Sequence, residues 1–158
     1  MQHTEQEAAA FSFFLPQQAL VSLEPLGSGL VNDTWLAAAQ SGSKYVLQRL
    51  NTAVFPNPAL VQANLCQVTE YVQARLAPDQ GFTVFRLIRS PKGESSFVDR
   101  CGQYWRLLSY IPDSQSLHSL HSPGQACEIG GALGLFHSLL AEMPLSSLPS
   151  FLHLFSVN

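Results

Sequence analysis

Ionisable side chains are scarce in this 158-residue sequence, where charged residues make up 12% of the chain against about 25% in an ordinary globular domain. The net charge is −3. This argues against a nucleic-acid-binding protein, because such a protein needs a basic stripe that displaces the counterions of the phosphates. The three cysteines, Cys66, Cys101 and Cys127, are an odd number without metal-ligand spacing. They indicate reduced thiols and exclude a disulfide-stapled scaffold.

Long apolar runs and a basic leader are also missing. No run approaches the roughly 18 consecutive apolar residues that span a bilayer. The N-terminal segment carries Glu5 and Glu7 where a signal peptide would carry positive charge. We therefore expect no membrane partner and a cytoplasmic location. An apolar fraction of 46% is typical of a folded chain, and the length predicts one compact domain, or one and part of a second.

Charge is concentrated in the first two thirds of the sequence. The last basic residue is Arg106, the last aspartate is Asp113, and the carboxylates that follow are Glu128 and Glu142. Chemistry that needs a lysine, an arginine or an aspartate must therefore use residues up to position 113.

Local patterns predict an α+β fold built on one antiparallel sheet of five to six strands. Residues 1–17 form a predicted leader, in which Phe11 to Leu15 are a short apolar contact segment ended by Pro16. Three strand-like runs follow, and the short turns of glycine and serine between them predict an antiparallel meander. These runs are Leu20–Leu26, Val31–Ala39 and Lys44–Leu50.

A capped helix and further strands complete a predicted domain over residues 18–111. Asn57 and Pro58 combine an N-cap residue with proline at the first helical position, and apolar residues three or four apart predict a helix that ends near Pro78. This apolar stripe consists of Val61, Leu65, Val68, Val72 and Leu76. The next predicted strands are Thr83–Ile88, Ser96–Asp99 and Gln103–Ile111.

A linker over residues 112–124 and a second helix over residues 125–142 are predicted next. Three glycines in this helix lower its propensity by about 1 kcal/mol each, so we expect another backbone to approach them closely. The tail, residues 143–158, has no cap or periodicity that would place it. The apolar stripe of the helix consists of Ile129, Leu133, Phe136 and Leu140, and its glycines are Gly130, Gly131 and Gly134.

The turn from Gly27 to Thr34 is the first candidate site. Two glycines and small polar side chains would let backbone N–H groups approach an anion closely, as phosphate-covering loops require. The alternative is a hairpin turn with no further role. The turn is neither a Walker loop nor a Rossmann fingerprint, since it lacks a Gly-Lys-Ser/Thr ending and a strand follows it.

Two of the predicted strands carry further candidates. Alternation along Lys44–Leu50 puts Arg49 on one face and Gln48 on the other, so a polar side chain there either points at a ligand or faces solvent. The run Tyr104–Pro112 either offers extended backbone to a flat heterocycle or is a central core strand.

Several motifs occur in one order along the chain. They are Gly27–Trp35, Tyr45–Asn51, Val54–Pro56, the helix that carries Asn64, Trp105-Arg106, Tyr110-Ile111 and Gly130–His137. This ordered set covers roughly residues 18–142. It resembles the aminoglycoside phosphotransferase/choline kinase superfamily, and most closely its N-acetylhexosamine 1-kinase branch.

The resemblance implies a protein-kinase-like fold, in which residues 18–111 are the ATP-binding N-lobe and residues 125–142 begin a C-lobe. The linker after Tyr110 would be the hinge whose backbone takes the adenine, and the glycine-containing hairpin would cover the triphosphate. ATP and Mg²⁺ are the implied cofactors. The implied nucleotide-binding residues are Gly27, Gly29, Leu30, Val31, Asn32, Thr34, Gln48, Arg49, Ser109, Tyr110 and Ile111.

Two departures from the superfamily pattern stand out. Kinases of this fold hold the α- and β-phosphates with a basic residue on the third strand, where this chain has Gln48. Glu70, on the capped helix, therefore has no strand lysine to pair with. The catalytic His-x-Asp motif and the later metal-binding Asn and Asp are absent. None of His118, His121, His137 and His153 has an aspartate two residues on.

We therefore expect the N-terminal, ATP-binding portion of a small-molecule phosphotransferase, a truncated or frameshifted piece that is inactive alone. Apolar surface on the second helix and over Phe151–Phe155 would then favour self-association. Two alternatives remain open. One is a non-catalytic module that binds a nucleotide or a partner protein, and the other is an enzyme whose catalytic half comes from another chain.

Overall fold

Three helices and six strands occur in the part of the chain that the computed structural model describes, namely residues 4–27, 31–77, 81–114, 119–144 and 148. In chain order they are α1 (Glu5–Phe14), β1 (Leu20–Pro25), β2 (Asp33–Ala39), β3 (Lys44–Leu50), α2 (Pro58–Gln73), β4 (Leu87–Ile88), β5 (Phe97–Val98), β6 (Tyr104–Ser109) and α3 (Pro123–Leu140).

The chain divides into two compact units. The first consists of residues 1–62 with residues 85–110, and the second of residues 63–84 with residues 111–158. The first unit holds α1 and the whole sheet, the second holds α3, and α2 begins in the first unit and continues into the second.

The six strands form one sheet with the order β1-β2-β3-β6-β4, and β5 also pairs with β6. Every pairing is antiparallel, so the predicted α+β class and the predicted antiparallel sheet are confirmed. β3 runs from Lys44 to Leu50, as its alternation and the preceding turn predict.

One face of the sheet is covered by α1. Antiparallel pairing places Trp35, Leu47 and Leu107 side by side on the three central strands, and α1 lays Phe11 and Phe14 against this face. Fully burying one such side chain contributes about 1.5–3 kcal/mol, so this cluster is a main source of stability. Its buried members are Ala10, Phe11, Phe14, Leu23, Ala37, Ala39, Leu47, Trp105 and Leu107.

The helix α1 lies within the predicted leader, residues 1–17, to which the sequence pattern assigns no helix. The Glu7 carboxylate accepts hydrogen bonds from the backbone N–H and the hydroxyl of Thr4, both at 2.6 Å, which closes the first turn. Phe11 and Phe14 then lie on one helix face and are buried. The alanines before them blur the apolar periodicity, which is why the sequence pattern does not predict this helix.

β4 is shorter than the strand predicted for residues 83–88, because a side chain interrupts the backbone ladder. The N–H of Arg86 donates to Oγ of Ser109 at 2.8 Å, while the N–H of Ser109 donates to the carbonyl oxygen of Arg86 at 2.8 Å. A hydroxyl thus takes the place of a backbone carbonyl, and regular pairing begins only at Leu87.

α2 ends at Gln73, before the end predicted near Pro78, which lies outside the described residues. The N–H groups of Arg75 and Leu76 both donate to the carbonyl oxygen of Val72, at 3.0 Å each. This shared acceptor tightens the last turn into 3₁₀ geometry, and the regular α-helix stops there.

α3, in the second unit, buries none of its residues. Ile129 and Leu133 are 49% and 52% exposed, although both belong to the predicted apolar stripe. The expected close approach of another backbone is wrong for the described structure. Outside the backbone of the helix itself, no heavy atom lies within 4 Å of a Cβ built at Gly130, Gly131 or Gly134.

Asp99 organises the turn between β5 and β6. Its Oδ1 accepts hydrogen bonds from the backbone N–H groups of Cys101 and Gln103 at 2.8 and 2.9 Å, and its Oδ2 accepts one from the indole N–H of Trp105 at 2.9 Å. Burial by itself would raise the pKa of Asp99. The three hydrogen bonds and the charge of Arg49 outweigh that effect and lower the pKa.

We expect Asp99→Asn to destabilise the protein by about 1–3 kcal/mol at pH 7, because an amide cannot accept all three hydrogen bonds and a buried donor would be left unpaired. Since the folded-state pKa is lowered, the carboxylate contributes stability above its unfolded value of about 3.9, and this contribution is lost as the pH falls through the folded value. Urea unfolding between pH 7 and pH 2 measures both effects.

The control for this experiment is Glu24→Gln, at an exposed carboxylate on β1. It should change the free energy of unfolding by less than about 0.5 kcal/mol. An Asp99→Asn variant that matches the wild type at pH 7 would contradict the role assigned to this carboxylate.

Candidate functional site

Gln48 and Arg49, consecutive residues of β3, serve opposite faces of the sheet. β3 lies between β2 and β6, and the pairing sets Gln48 opposite Thr34 on one side and Arg106 on the other. Because side chains alternate along a strand, Arg49 points to the other face, the one that α1 covers. The two candidates therefore belong to different environments.

Thr34, Gln48 and Arg106 form a hydrogen-bonded row across the three central strands, and these three side chains are named the polar row. Nε of Arg106 donates to Oε1 of Gln48 at 2.8 Å. Nε2 of Gln48 donates to Oγ1 of Thr34 at 3.0 Å. The pairs are partly buried, so water competes less with these bonds than it would on an open surface.

The arginine fixes the direction of hydrogen bonding along the polar row. A guanidinium carries N–H donors and no acceptor, so Gln48 must turn its oxygen to Arg106 and its amide nitrogen to Thr34. The amide nitrogen carries a second hydrogen, and the guanidinium carries a permanent positive charge. The row therefore carries a positive charge at one end.

Asn32 links the polar row to the turn between β1 and β2. The hydroxyl of Thr34 lies 3.5 Å from the carbonyl oxygen of Asn32. Oδ1 of Asn32 accepts a hydrogen bond from the backbone N–H of Asn51 at 3.0 Å. The end of the turn is thereby tied to the end of β3, next to the row.

Apolar side chains flank the polar row on its own face of the sheet. Strand alternation places Leu50 and Leu108 on this face, and they are 1% and 6% exposed. A less polar environment strengthens the attraction between opposite charges. An anion at the row would therefore be held more firmly than at the same side chains in open water.

Arg49 occupies a different environment, outside the polar row. Its Nη2 lies 2.7 Å from Oδ2 of Asp33, in an ion pair whose side chains are 33% and 56% exposed. Its guanidinium carbon lies 5.9 Å from the ring centre of Trp35 and 5.6 Å from that of Trp105. A pocket of about 440 Å³ opens beside it, lined by Gln6, Asp33, Arg49, Leu50, Asn51, Thr52, Cys101 and Gln103.

The glycine-containing turn is described only in part, since Gly29 and Leu30 lie outside the described residues. Gly27 has a φ of +74°, a left-handed conformation that favours glycine. Val31 is 42% exposed. The described part of the turn thus begins with a left-handed glycine, and its end leads directly into the polar row.

Ser109, Tyr110 and Ile111, the nucleotide-binding residues that the resemblance implies next to the hinge, differ in their surroundings. The backbone N–H of Ser109 is engaged by the carbonyl oxygen of Arg86. The ammonium of Lys44 lies 5.9 Å from the ring centre of Tyr110. Ile111 belongs to the second unit, where its carbonyl oxygen accepts a hydrogen bond at 2.7 Å from the hydroxyl of the serine three residues later.

Comparison with known protein families assigns no family to the polar row or to the β1–β2 turn. No protein-family model matches this chain. Across the described ranges, no helix is both long enough and apolar enough to cross a membrane. Within those same ranges, no group of three or more His, Cys, Asp or Glu residues could hold a metal ion, so no step through a metal is assigned to these residues.

The remaining candidates belong to the second unit or lie outside the described residues. Glu70 on α2 and His137 on α3 are exposed residues of the second unit. His121 lies in the exposed segment before α3. His118 and His153 lie outside the described residues.

Arg106 is the site residue that sequence reasoning does not select. The alternation of β6 separates it from Trp105 and puts it on the less apolar face, which is the one local signal available. Its partner Gln48 lies 58 residues away in the sequence. The contact therefore depends on the register between β3 and β6, which no local pattern specifies.

We expect substitutions of Gln48 and Arg106 to have coupled effects on the free energy of unfolding. Substitutions of Gln48 and Arg49 should have independent effects. A double-mutant cycle with Gln48→Met and Arg106→Met should give a coupling energy of about 1–3 kcal/mol, because it removes a hydrogen bond to a charged group. The matched cycle with Arg49→Met, next in sequence but on the opposite face, should give less than about 0.5 kcal/mol. Urea unfolding measures both, and equal couplings would contradict the assignment of the faces.

Proposed function

We propose that this chain is the ATP-binding portion of a small-molecule phosphotransferase of the aminoglycoside phosphotransferase/choline kinase type, with an amino sugar as the expected acceptor. The observation that carries the proposal is the polar row, which begins beside the β1–β2 turn and ends at a guanidinium. The ordered motifs that the sequence shares with this superfamily support the same function.

A triphosphate needs several hydrogen-bond donors and a positive charge, and the β1–β2 turn and the polar row are the parts of the first unit that would supply them. Backbone N–H groups of a glycine-containing turn can approach phosphate oxygens closely, and Gly27, at the start of this turn, has a left-handed conformation. The amide of Gln48 and the guanidinium of Arg106 add side-chain donors. The adenine would then lie toward Tyr110, the residue that follows the end of β6.

The role proposed for these residues is to bind and orient ATP, which brings Mg²⁺ with it. Phosphoryl transfer also needs a base for the acceptor hydroxyl and carboxylates for the metal. Beyond Asp113 the carboxylates of this sequence are Glu128 and Glu142, both exposed in the second unit. We therefore expect this chain alone to bind Mg-ATP without phosphorylating a sugar.

Mg-ATP should raise the melting temperature of the purified protein. A ligand that binds only the folded state stabilises it by about 2.7 kcal/mol at a concentration of 100 Kd, which for a chain of this size is a shift of several degrees. Adenosine, which lacks the phosphates, should give a smaller shift at the same concentration. The absence of any shift at millimolar Mg-ATP would refute the proposal.

The β1–β2 turn can be tested with two glycine variants of equal backbone strain. Gly27 and Gly42 have φ values of +74° and +84°, and a Cβ at either position meets no atom within 4 Å. Replacing either by alanine should cost about 1–2 kcal/mol of stability. Only Gly27→Ala should weaken the Mg-ATP shift, because Gly42 lies in the β2–β3 turn at the other end of β2. Equal weakening by both variants would contradict a specific role for the β1–β2 turn.

The exposed apolar residues of α3 favour a second candidate, a non-catalytic module of the same fold that binds a partner protein. Ile129 and Leu133 are about half exposed, and contiguous apolar exposure of this kind marks interaction surfaces. The Mg-ATP titration separates the two candidates, since a module that binds only protein shows no shift.

A further inference from the structure

The pocket beside Arg49 has no part in the proposed function. It lies within the first unit, and its walls come from the first turn of α1, the start of β2, the end of β3 with the two residues that follow, and the β5–β6 turn. Its volume of about 440 Å³ falls in the range of about 300–1,000 Å³ that is typical of small-molecule sites. The pocket is therefore large enough for a ligand of its own.

We propose that this pocket binds an uncharged polyol, a small molecule that carries several hydroxyl groups. Three properties of its walls carry the inference: their charges cancel, they offer both hydrogen-bond donors and acceptors, and contacts outside the pocket hold them in place. The inference does not depend on the proposed function, which uses the polar row.

The charges of the pocket cancel. Among the described residues that line it, the one carboxylate is that of Asp33 and the one cationic side chain is that of Arg49. Nε and Nη2 of Arg49 both donate to Oδ2 of Asp33, at 3.0 and 2.7 Å. An anion would meet the carboxylate as well as the guanidinium, so repulsion would offset much of the attraction. The pair therefore favours a ligand without net charge.

Both donors and acceptors in the walls are left for a ligand. Oδ1 of Asp33 and Nη1 of Arg49 make no hydrogen bond within the described part of the chain, and neither do the side-chain amide of Gln103 and the hydroxyl of Thr52. A carboxylate oxygen only accepts and a guanidinium only donates, whereas a hydroxyl group does both. A molecule with several hydroxyl groups can therefore satisfy this mixed set, which a ligand of donors alone or of acceptors alone cannot.

Contacts outside the pocket hold its walls in place. The guanidinium carbon of Arg49 lies 5.9 Å from the ring centre of Trp35 and 5.6 Å from that of Trp105, in addition to the ion pair. The Asp99 carboxylate binds two backbone N–H groups of the turn that carries Gln103. Because these groups are already positioned, a ligand loses less affinity to the ordering of its site.

The test uses the full chain and myo-inositol, an uncharged ring with a hydroxyl group on every carbon. Titration followed by saturation-transfer NMR should show saturable binding with a millimolar Kd, as expected for a few hydrogen bonds that remain open to water. Inorganic phosphate at the same concentration should not displace the inositol, because the pocket carries no net positive charge.

Two variants place the binding in this pocket. Gln103→Met removes an amide that has no hydrogen bond within the described residues, and Thr52→Val removes an exposed hydroxyl at nearly constant shape. Each should weaken inositol binding about fivefold, as expected for the loss of one hydrogen bond. The matched control is Gln40→Met, at an exposed amide in the β2–β3 turn, which should bind as the wild type does. Because the Thr52 side chain is exposed, Thr52→Val covers the case in which Gln103→Met does not fold.

Asp33→Asn tests the cancellation of charge. The amide keeps the shape of the carboxylate, and Arg49 then gives the pocket a net positive charge. Inorganic phosphate should therefore displace inositol from this variant, although it does not do so from the wild type. Displacement from the wild type as well would overturn the assignment to an uncharged ligand.

The outcomes separate this inference from the proposed function. A wild type without saturable inositol binding overturns the inference, whatever its response to Mg-ATP. Folded Gln103→Met and Thr52→Val variants that bind inositol as the wild type does, or a Gln40→Met control that loses as much binding as they do, also overturn it. A protein that binds inositol and not Mg-ATP refutes the proposed function and supports the inference drawn for this pocket.

Discussion

The register of β2, β3 and β6 is the constraint on which the rest of the first unit depends. The pairing that sets Leu47 beside Leu107 in the core also sets Gln48 beside Arg106 on the other face. A slip of one residue would expose the core side chains and bury the polar ones. Burial of the core under α1 therefore fixes the geometry of the polar row, although no residue of that core belongs to the row.

The turn before β6 adds a second restraint on the same register. Asp99 accepts a hydrogen bond from the indole of Trp105, which is fully buried and directly precedes Arg106. The charge of Arg49 acts on the same carboxylate. These interactions belong to the α1 side of the sheet, yet they determine where the Arg106 side chain begins. A substitution on one face can thus alter the candidate site on the other without touching it.

Local patterns account for most of the fold and for only part of the site. The bounds of β3 follow from strict alternation after a short turn, and α2 follows from its cap and apolar spacing. The helix α1 does not, because its apolar face is interpretable only with the sheet that covers it. Gln48 is a candidate from alternation alone. Arg106 becomes one only when two strands far apart in sequence are paired, since their periodicity is compatible with several registers.

Under the proposed function, the fold constrains where a positive charge must stand and leaves open which strand supplies it. The spacing of paired strands, about 4.8 Å, is shorter than an extended arginine, so a charge can originate on β6 and act beside β3. Gln48 accepts a hydrogen bond from the arginine of the neighbouring strand. A search for a basic residue at one strand position passes over such a contact, because the charge comes from the partner strand. Interpreting strands as registered pairs, and not one at a time, is what identifies it.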